Sequence, residues 1–339
     1  MIRLKDIAAR ANVSIMTVSK VMRDAPDIST ATKARIRRLA EEMGYVPNSL
    51  AQGLRTRTTK LFGLIIPAIT NPIFARTALA IEELSHHWGY DLILAHTLNV
   101  SKREEASIRK LLSRRVDGLF VAPVYRLSPV APVYNEILKN RTPTVILGQR
   151  TAFCSQFPYV ATDDLPASYA ATKHLLDLGH RRIAFFAGPA AAPWSQERAD
   201  GYRRALNEAD LIVEDRLIFT AGTTIEDGEK AALQMLQECN DVTAVQAVND
   251  LAAIGAANMF LSQGLRIPQD ISVVGFGNFL LSEHYKVPLT TIRQPKFRLG
   301  VAAMESMQKL LKGERPEDKR LPAQIIIRAS TATPPVKSG

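Results

Sequence analysis

The chain has 339 residues, of which 46% are hydrophobic and 22% charged, and its formal net charge is +10. This composition excludes a largely disordered protein, and the length predicts about two domains. The two cysteines, Cys154 and Cys239, are too few for a disulfide framework and favour a reducing compartment. We expect no membrane span, because every apolar run is far shorter than the roughly 20 residues needed. No secretion signal is visible at the N-terminus.

The positive charge is concentrated in the first part of the chain. Residues 1–60 contain 12 Lys/Arg and five Asp/Glu, a net charge of +7, whereas the other residues together carry +3. A small basic module joined to a near-neutral body is typical of a nucleic-acid-binding domain attached to another domain. The alternative interpretation is a basic face that only contacts solvent.

Apolar residues at helical spacing predict two short helices around a turn. The first helix has Leu4, Ile7, Ala8 and Ala11 on one face, and the second has Val18, Val21 and Met22. Asn12 tolerates the left-handed conformation of a tight turn, and Ser14 is a suitable N-cap for the second helix. A third helix is predicted to start near Ser29 and to end at Gly44. This arrangement is typical of a helix-turn-helix; a three-helix protein-interaction bundle is the alternative.

The second helix of such a motif enters the major groove, and its first residues contact base edges. Ile15 and Met16 offer only apolar contacts, for example to a thymine methyl group. The alternative role for the Met16 side chain is simple packing within the protein. Lys20 can donate hydrogen bonds to guanine. Ser14 and Thr17 are better suited to phosphate oxygens, which position the protein without specifying sequence.

The polar, basic segment that follows, residues 48–59, is too short to be a stable helix alone, so we expect a flexible linker in the free protein. Leu50, Ala51 and Leu54 would share one face if the segment became helical. Leu54 has no core to enter, and insertion into a DNA minor groove is one physical use for it.

Beyond residue 60 the pattern changes to apolar strands alternating with helices, which predicts parallel sheets covered on both faces. The predicted strands are Leu61–Ile66, Asp91–Ala95, Gly118–Ala122, Thr144–Leu147, Ile183–Ala187, Ala244–Val248 and Ile271–Phe276. The predicted helices are 72–89, 101–115, 165–179, 196–209, 226–239 and 249–264. These units are too many for one ordinary open sheet. We therefore expect two lobes, with a boundary near Val160–Asp164.

The C-terminal region is predicted to connect the lobes again. A strand at Leu289–Arg293 precedes a helix at Phe297–Lys312 and a last strand at Gln324–Ala329. A closing segment of this kind can return to the first lobe and then to the second. Several crossings of the chain would place a cleft between the lobes.

Seven motifs together resemble the LacI/GalR family of bacterial transcription regulators, and they recur in the family's order over about residues 1–330. The longest run is LKDIAARANVSIMTVSKV at residues 4–21, and HLLDLGHRRI at 174–183 is another. The others are GYVPNSLA at 44–51, NPIFA at 71–75, RVDG at 115–118, ND at 249–250 and LTTIRQP at 289–295.

The resemblance implies an all-α helix-turn-helix headpiece, residues 1–47, and a hinge helix or linker, residues 48–60. It also implies an α/β sensing domain, residues 61–339, shaped like a two-lobed periplasmic binding protein with two parallel sheets and helices on both faces. We expect lobe 1 to comprise about 61–162 and 293–323, and lobe 2 about 163–290 and 324–330. The partners implied are a pseudo-palindromic DNA operator, a second copy of the chain and a small-molecule effector, either a sugar or a sugar acid. We expect a cytoplasmic location and no cofactor, metal or membrane partner.

By the resemblance, Ile15, Met16 and Lys20 stand at base-contacting positions, and Leu54 is the hinge leucine that enters the minor groove. The implied effector-binding residues are Ile73, Phe74, Asp163, Arg198, Asn249 and Gln294. Among these, Phe74 can stack on the face of a sugar or of a base. Arg198 can form paired hydrogen bonds with a carboxylate or with neighbouring hydroxyls. The alternative role for an isolated asparagine or arginine is a helix cap or a surface ion pair.

The sequence departs from the family pattern in the hinge and in the sensing domain. Gln52 and Gly53 replace an arginine and a small residue before Leu54. Gly277 stands where most relatives carry an aspartate that holds ligand hydroxyls. A polyol network would lose a strong acceptor there, and Trp194 makes the region more apolar. The alternatives are a ligand that is bulkier, acidic or less hydroxylated, and a degraded site.

Two other classes of protein compete with a ligand-responsive DNA-binding repressor. An enzyme is disfavoured because the chain lacks the phosphate-binding, nucleophile-elbow, zinc-protease and dinucleotide-binding motifs, and its six histidines show no metal-ligand spacing. A two-lobed solute-binding protein would fit the body. It would need a secretion signal, however, and it has no use for the basic N-terminal module.

Overall fold

The structure, a computed structural model, describes residues 2–45 and 58–335. The chain forms two compact units, Met1–Thr59 and Lys60–Gly339, which are called the headpiece and the body below. None of the helices in these described parts is long and apolar enough to cross a membrane.

Residues 2–45 of the headpiece form three helices, α1 (Leu4–Ala11), α2 (Ile15–Met22) and α3 (Thr30–Glu42). Asn12 ends α1 in the left-handed conformation with φ 54°, and the Ser14 side chain caps α2 by accepting a hydrogen bond from the Thr17 amide. Both features agree with the sequence prediction. The shared core comprises Ile7, Ala8, Ala11, Val18, Val21, Ile36 and Ala40.

The body alternates strands and helices, as predicted. Its strands are β1 (Leu61–Ile66), β2 (Asp91–His96), β3 (Gly118–Val121), β4 (Thr144–Leu147), β5 (Tyr159–Thr162), β6 (Ile183–Ala187), β7 (Ile218–Thr220), β8 (Ala244–Ala247), β9 (Ser272–Gly277), β10 (Thr290–Arg293), β11 (Lys319–Leu321) and β12 (Gln324–Ile326). Its helices are α4 (Pro72–His87), α5 (Ser101–Ser113), α6 (Pro132–Lys139), α7 (Asp164–Asp177), α8 (Pro193–Glu208), α9 (Ile225–Glu238), α10 (Asp250–Ser262), α11 (Leu280–His284) and α12 (Lys296–Leu311).

The strands form two six-stranded sheets, one in each lobe. Lobe 1 has the order β11-β5-β4-β3-β1-β2, and lobe 2 has the order β12-β10-β9-β8-β6-β7. Neighbouring strands run parallel except β12, which pairs antiparallel with β10. The prediction of two parallel sheets is therefore correct for lobe 1, whereas the sheet of lobe 2 is mixed. The reason is that the chain enters β12 directly from β11 of the other lobe, with no crossover helix to reverse its direction.

The chain crosses between the lobes three times: from β5 to α7, from β10 to α12, and from β11 to β12. Helix α12 belongs to lobe 1, where Leu299, Ala303 and Met307 pack in the core beside Phe62 and Phe120 of the sheet. The C-terminal segment therefore returns to lobe 1 and then to lobe 2. All three crossings lie beyond the carboxyl ends of strands of the lobe that the chain leaves, where ligands bind in open α/β sheets.

Helices α9 and α10 pack against each other at backbone contact distance. A Cβ atom at Gly255 of α10 would meet the carbonyl oxygen of Ile225, and one at Gly228 of α9 would meet that of Ala252. Glycine is therefore required at both positions by the close approach of the two helix backbones.

We expect Gly255→Ala to lower the free energy of unfolding by about 2 to 3 kcal/mol, because the added methyl group forces two helix backbones apart. Ser262→Ala, at the exposed end of the same helix, is the control and should change it by less than about 0.5 kcal/mol. Denaturant titration of both variants measures the difference. Equal stability of the two variants would show that the helices separate without strain.

Candidate functional site

The first turn of α2 exposes two large apolar side chains. Ile15 is 54% exposed and Met16 is 63% exposed, whereas the other large apolar side chains of residues 2–45 are buried or half-buried. Apolar side chains exposed side by side are typical of a contact surface. The Ser14 hydroxyl caps the helix and lies 2.8 Å from the Thr17 hydroxyl, so both side chains are held beside this surface.

Lys20 lies further along the same helix, where its ammonium group forms an ion pair with Asp27. This pairing lowers the pKa of the Asp27 carboxyl group. Both side chains are partly exposed, and such pairs contribute little stability because water screens them. A phosphate or a guanine can therefore compete for Lys20. Arg35 and Arg38, on α3, are exposed as well. Leu54, Gln52 and Gly53 lie outside the described residues.

A cavity of about 290 Å³ lies between the lobes of the body. Ile73 and Phe74, in the first turn of α4, contribute to its lobe 1 wall, and Asn71 caps this turn by accepting a hydrogen bond from the Ile73 amide. Trp194 and Arg198 of α8 contribute to the opposite wall. The remaining lining is mostly apolar and includes Tyr125, Leu147, Phe276, Phe279 and Leu299.

Arg198 is buried, and its charge is balanced within the protein. Its Nε and Nη2 atoms donate to one oxygen of Asp164 at 2.9 and 2.7 Å, and Nη1 donates to the Val248 carbonyl at 2.6 Å. The guanidinium also lies 3.6 Å from the ring centroid of Phe276 and 4.8 Å from that of Trp194. Three of the five N–H groups of Arg198 are thus bonded within the protein, and Asp164 balances its charge.

Burial raises the pKa of Asp164 to about 6, although the Arg198 charge opposes this shift. Burial also lowers the pKa of Arg198. We interpret the two side chains as an ion pair at neutral pH, because Arg198 remains protonated at any pH that proteins tolerate.

Asn249 and Gln294 line the cavity, but their amide groups already have protein partners. Asn249 caps α10 by accepting from the Ala252 amide, and it donates to the Thr223 carbonyl at 3.0 Å. Gln294 donates to the Thr162 hydroxyl at 3.1 Å.

Asp163 is the one predicted effector-binding residue that the structure does not bring to the cavity. Its carboxylate forms an ion pair with Arg320 of β11 at 2.9 Å, and Arg320 also pairs with Glu197 of lobe 2. The next residue, Asp164, lines the cavity instead. The sequence alone cannot decide which of two adjacent carboxylates turns inward at a helix start.

Gly277 has φ 144°, and a Cβ atom there would lie 2.7 Å from the Phe279 ring. The place of the family's aspartate side chain is therefore closed by Phe279, which lines the cavity. Lys296 donates to the carbonyls of Gly277 and Asn278 from the start of α12. Burial lowers the pKa of this lysine to about 8.

Gln149, Tyr125 and Phe279 are lining residues that the sequence analysis missed. Gln149 follows β4 after one residue, Tyr125 lies shortly beyond β3, and Phe279 follows β9. Their position just after buried parallel strands was the available signal, because ligand sites gather at the carboxyl ends of such strands. The described residues contain no group of three or more His, Cys, Asp or Glu able to hold a metal ion.

Comparison with known proteins agrees with this architecture. Residues 3–48 match the family model of bacterial regulatory proteins of the lacI family. Residues 59–330 match that of periplasmic binding proteins and the sugar binding domain of the LacI family. The chain belongs to the LacI family of bacterial regulatory proteins. It is therefore a DNA-binding transcription regulator and not an enzyme, as the sequence predicts.

Among LacI-family relatives, the HTH-type transcriptional repressor PurR of Vibrio atlanticus is 32% identical and covers 98% of this chain and 99% of its own length. A lac repressor dimer bound to operator and the anti-inducer ONPF superimposes with a TM-score of 0.86 at 26% identity, over 98% of this chain and 99% of that one. A complex of the transcriptional regulator CelR with cellobiose superimposes with a TM-score of 0.73 at 28% identity, over 97% of this chain and 100% of that one.

We expect Arg198→Met to lower the free energy of unfolding by about 3 to 5 kcal/mol, because Asp164 is left as an unpaired buried carboxylate. Adding Asp164→Asn should recover part of the loss, and denaturant titration of the four proteins of this cycle measures the coupling. Additive losses would show that the two side chains are independent.

The loss caused by Arg198→Met should also be larger at pH 8 than at pH 5. Without the guanidinium, the pKa of Asp164 rises further above its value in the unfolded chain. The folded state then binds the proton more tightly than the unfolded state does, so stability falls as the pH rises through this range.

Proposed function

We propose that this regulator binds a pseudo-palindromic operator as a homodimer, with α2 of each headpiece in the major groove. Ile15 and Met16 contact base edges, Lys20 donates to guanine, and Ser14 and Thr17 contact phosphates. Leu54 enters the minor groove between the two half-sites. The observation that carries this proposal is the exposure of two large apolar side chains at the start of α2.

We further propose that a small molecule bound in the cavity between the lobes controls operator affinity. Ile73, Phe74, Asn249 and Gln294 line its site, and Arg198 forms part of the wall rather than a binding site for an acid. The balanced charge of the Arg198–Asp164 pair supports an uncharged ligand over a sugar acid, because no charge is left to offset that of a carboxylate.

The proposed mechanism is a change in the relative position of the lobes. Arg320 joins Glu197 of lobe 2 to the sheet of lobe 1, and Lys296 of lobe 1 donates to Gly277 and Asn278 of lobe 2. A ligand that prefers one arrangement of the lobes shifts the population toward it, and thereby changes the spacing of the two headpieces in a dimer. The regulator acts as a repressor in the cytoplasm, where its DNA is. The relatives that are repressors, and the one solved as a dimer on operator, support this reading.

The full-length protein should select a pseudo-palindrome from a random duplex library at physiological salt. Its affinity for that duplex should fall steeply with added salt, because Lys/Arg contacts to phosphates release counterions. Selection of a single asymmetric site would contradict the dimeric mode. Failure to enrich any sequence, both alone and with a metabolite extract, would contradict operator binding itself.

We expect Lys20→Ala to relax base preference at one position in each half-site and to weaken specific binding by about 1 to 3 kcal/mol. Arg35→Ala, which removes one positive charge from an exposed position on α3, is the matched control and should weaken binding to all duplexes similarly. Titration of the selected duplex and of single-base variants measures both effects. If Lys20→Ala lowers the affinity for all duplexes equally, Lys20 contacts only phosphates.

A further inference from the structure

Gln149 is a buried amide side chain in the wall of the cavity, and it is 5% exposed. Within residues 2–45 and 58–335, neither its Nε2 nor its Oε1 atom has a hydrogen-bond partner. Leaving a buried donor or acceptor unpaired costs roughly 1 to 3 kcal/mol. Both atoms are covered by the protein, and a molecule bound in the adjacent cavity would give them partners if the side chain turned toward it.

The backbone around Gln149 is held in place, so its side chain remains at the cavity wall. The Tyr125 hydroxyl donates to the Gln149 carbonyl at 2.7 Å. Gly148 has φ 111°, and a Cβ atom there would lie 2.7 Å from the same hydroxyl oxygen. Only glycine allows this close approach of the tyrosine. The backbone that carries the amide is thus a fixed turn at the carboxyl end of β4.

Several of the other polar groups that line the cavity are bonded within the protein. Arg198 and Asp164 bind each other, both ends of the Asn249 amide are bonded, and the Gln294 amide donates to Thr162. A polyol enclosed here would meet a lining that is mostly apolar, and burying a hydroxyl group without a partner is unfavourable. A ligand with one compact polar edge fits this distribution better.

The apolar lining favours a flat ligand. Aromatic rings come from both lobes, and they are Phe74, Tyr125, Trp194, Phe276 and Phe279. Rings of this kind stack on, or pack edge-on against, other rings. A volume of about 290 Å³ is at the lower end of small-molecule sites and suits one or two fused rings.

We propose that Gln149 determines ligand specificity, and that the ligand is an uncharged, flat compound of one or two rings with an adjacent hydrogen-bond donor and acceptor. A cyclic amide is the simplest such edge, because its N–H and C=O pair with the Oε1 and Nε2 atoms of one glutamine. This inference rests on the proposed function, since it concerns the same cavity.

Calorimetric titration of the full-length protein tests the proposal with three kinds of probe. Two cyclic amides, 2-pyridone and isoquinolin-1(2H)-one, are compared with N-methylisoquinolin-1-one, in which the donor is blocked, and with D-glucose. We expect a cyclic amide to bind at least about tenfold more tightly than the methylated compound and than glucose, which reflects one lost hydrogen-bond partner.

Gln149→Leu keeps a similar volume and removes both polar atoms. We expect it to weaken cyclic-amide binding at least about tenfold and to remove the preference over the methylated compound. Gln156→Leu, at an exposed position of lobe 1, is the matched control and should bind as the wild type does. Thermal unfolding of both variants checks that each is folded.

Two results would overturn the ligand class: tighter binding of glucose than of either cyclic amide, or no binding of either cyclic amide to folded wild-type protein. Unchanged cyclic-amide affinity in Gln149→Leu would overturn the role of this residue. None of these results bears on operator binding, which the duplex selection decides independently. Suppose that the protein selects a duplex, that a metabolite extract releases it, and that neither amide binds. The proposed function is then supported, and only the proposed ligand class is contradicted.

Discussion

The buried guanidinium of Arg198 organises the region where the two lobes meet. It binds Asp164 at the first residue of α7, the Val248 carbonyl at the end of β8, and the face of Phe276 in β9. One side chain therefore fixes the chain crossing after β5 relative to two strands of lobe 2. A buried charge of this kind is tolerated only when it is paired and hydrogen-bonded, as it is here. The charges of Arg198 and Asp164 in the cavity wall therefore balance each other, so this pair offers a ligand no net charge.

Contacts between the lobes are of two physical kinds. The ion pairs of Arg320 with Asp163 and Glu197 are partly exposed, so they are screened by water and salt and contribute little each. Lys296 is more buried, and burial lowers its pKa more than the attraction of Asp250 raises it. Weak contacts around a ligand cavity suit a protein that must change arrangement, because a ligand shifts an equilibrium only by its difference in affinity for two states.

Much of the fold was predictable from local sequence signals. Strands β1, β4 and β6 have the predicted bounds, since each is a short, buried apolar run between helical segments. The sequence analysis missed β5, β7 and β11, and helices α6 and α11. Strand β11 (Lys319–Leu321) lies at a sheet edge and carries two charged residues, so its sequence has no apolar strand pattern. It is a strand because its backbone pairs with β5. Helix α11 has five residues, too few to show helical periodicity.

The candidate site was less predictable than the fold, because a residue's type does not reveal which partners it has already taken. Arg198 and Asn249 were expected as ligand contacts, and the structure gives both of them protein partners. Gln149 carried no motif, yet its buried amide is without a partner in the part of the chain that the structure describes. The difference lies in tertiary geometry: adjacent side chains such as Asp163 and Asp164 point to opposite environments, and only the packed lobes decide which one reaches the cavity.

The most direct test is to measure operator affinity of the full-length protein while the cavity is offered different ligands. A bacterial metabolite extract is separated by ion exchange into neutral and anionic fractions, and each is added to the protein on its selected duplex. We expect the neutral fraction to change operator affinity at least about fivefold, the lower end of usual allosteric couplings, and the anionic fraction to leave it unchanged. A change caused only by the anionic fraction would contradict the balanced-charge cavity. No change with either fraction would contradict ligand control of DNA binding.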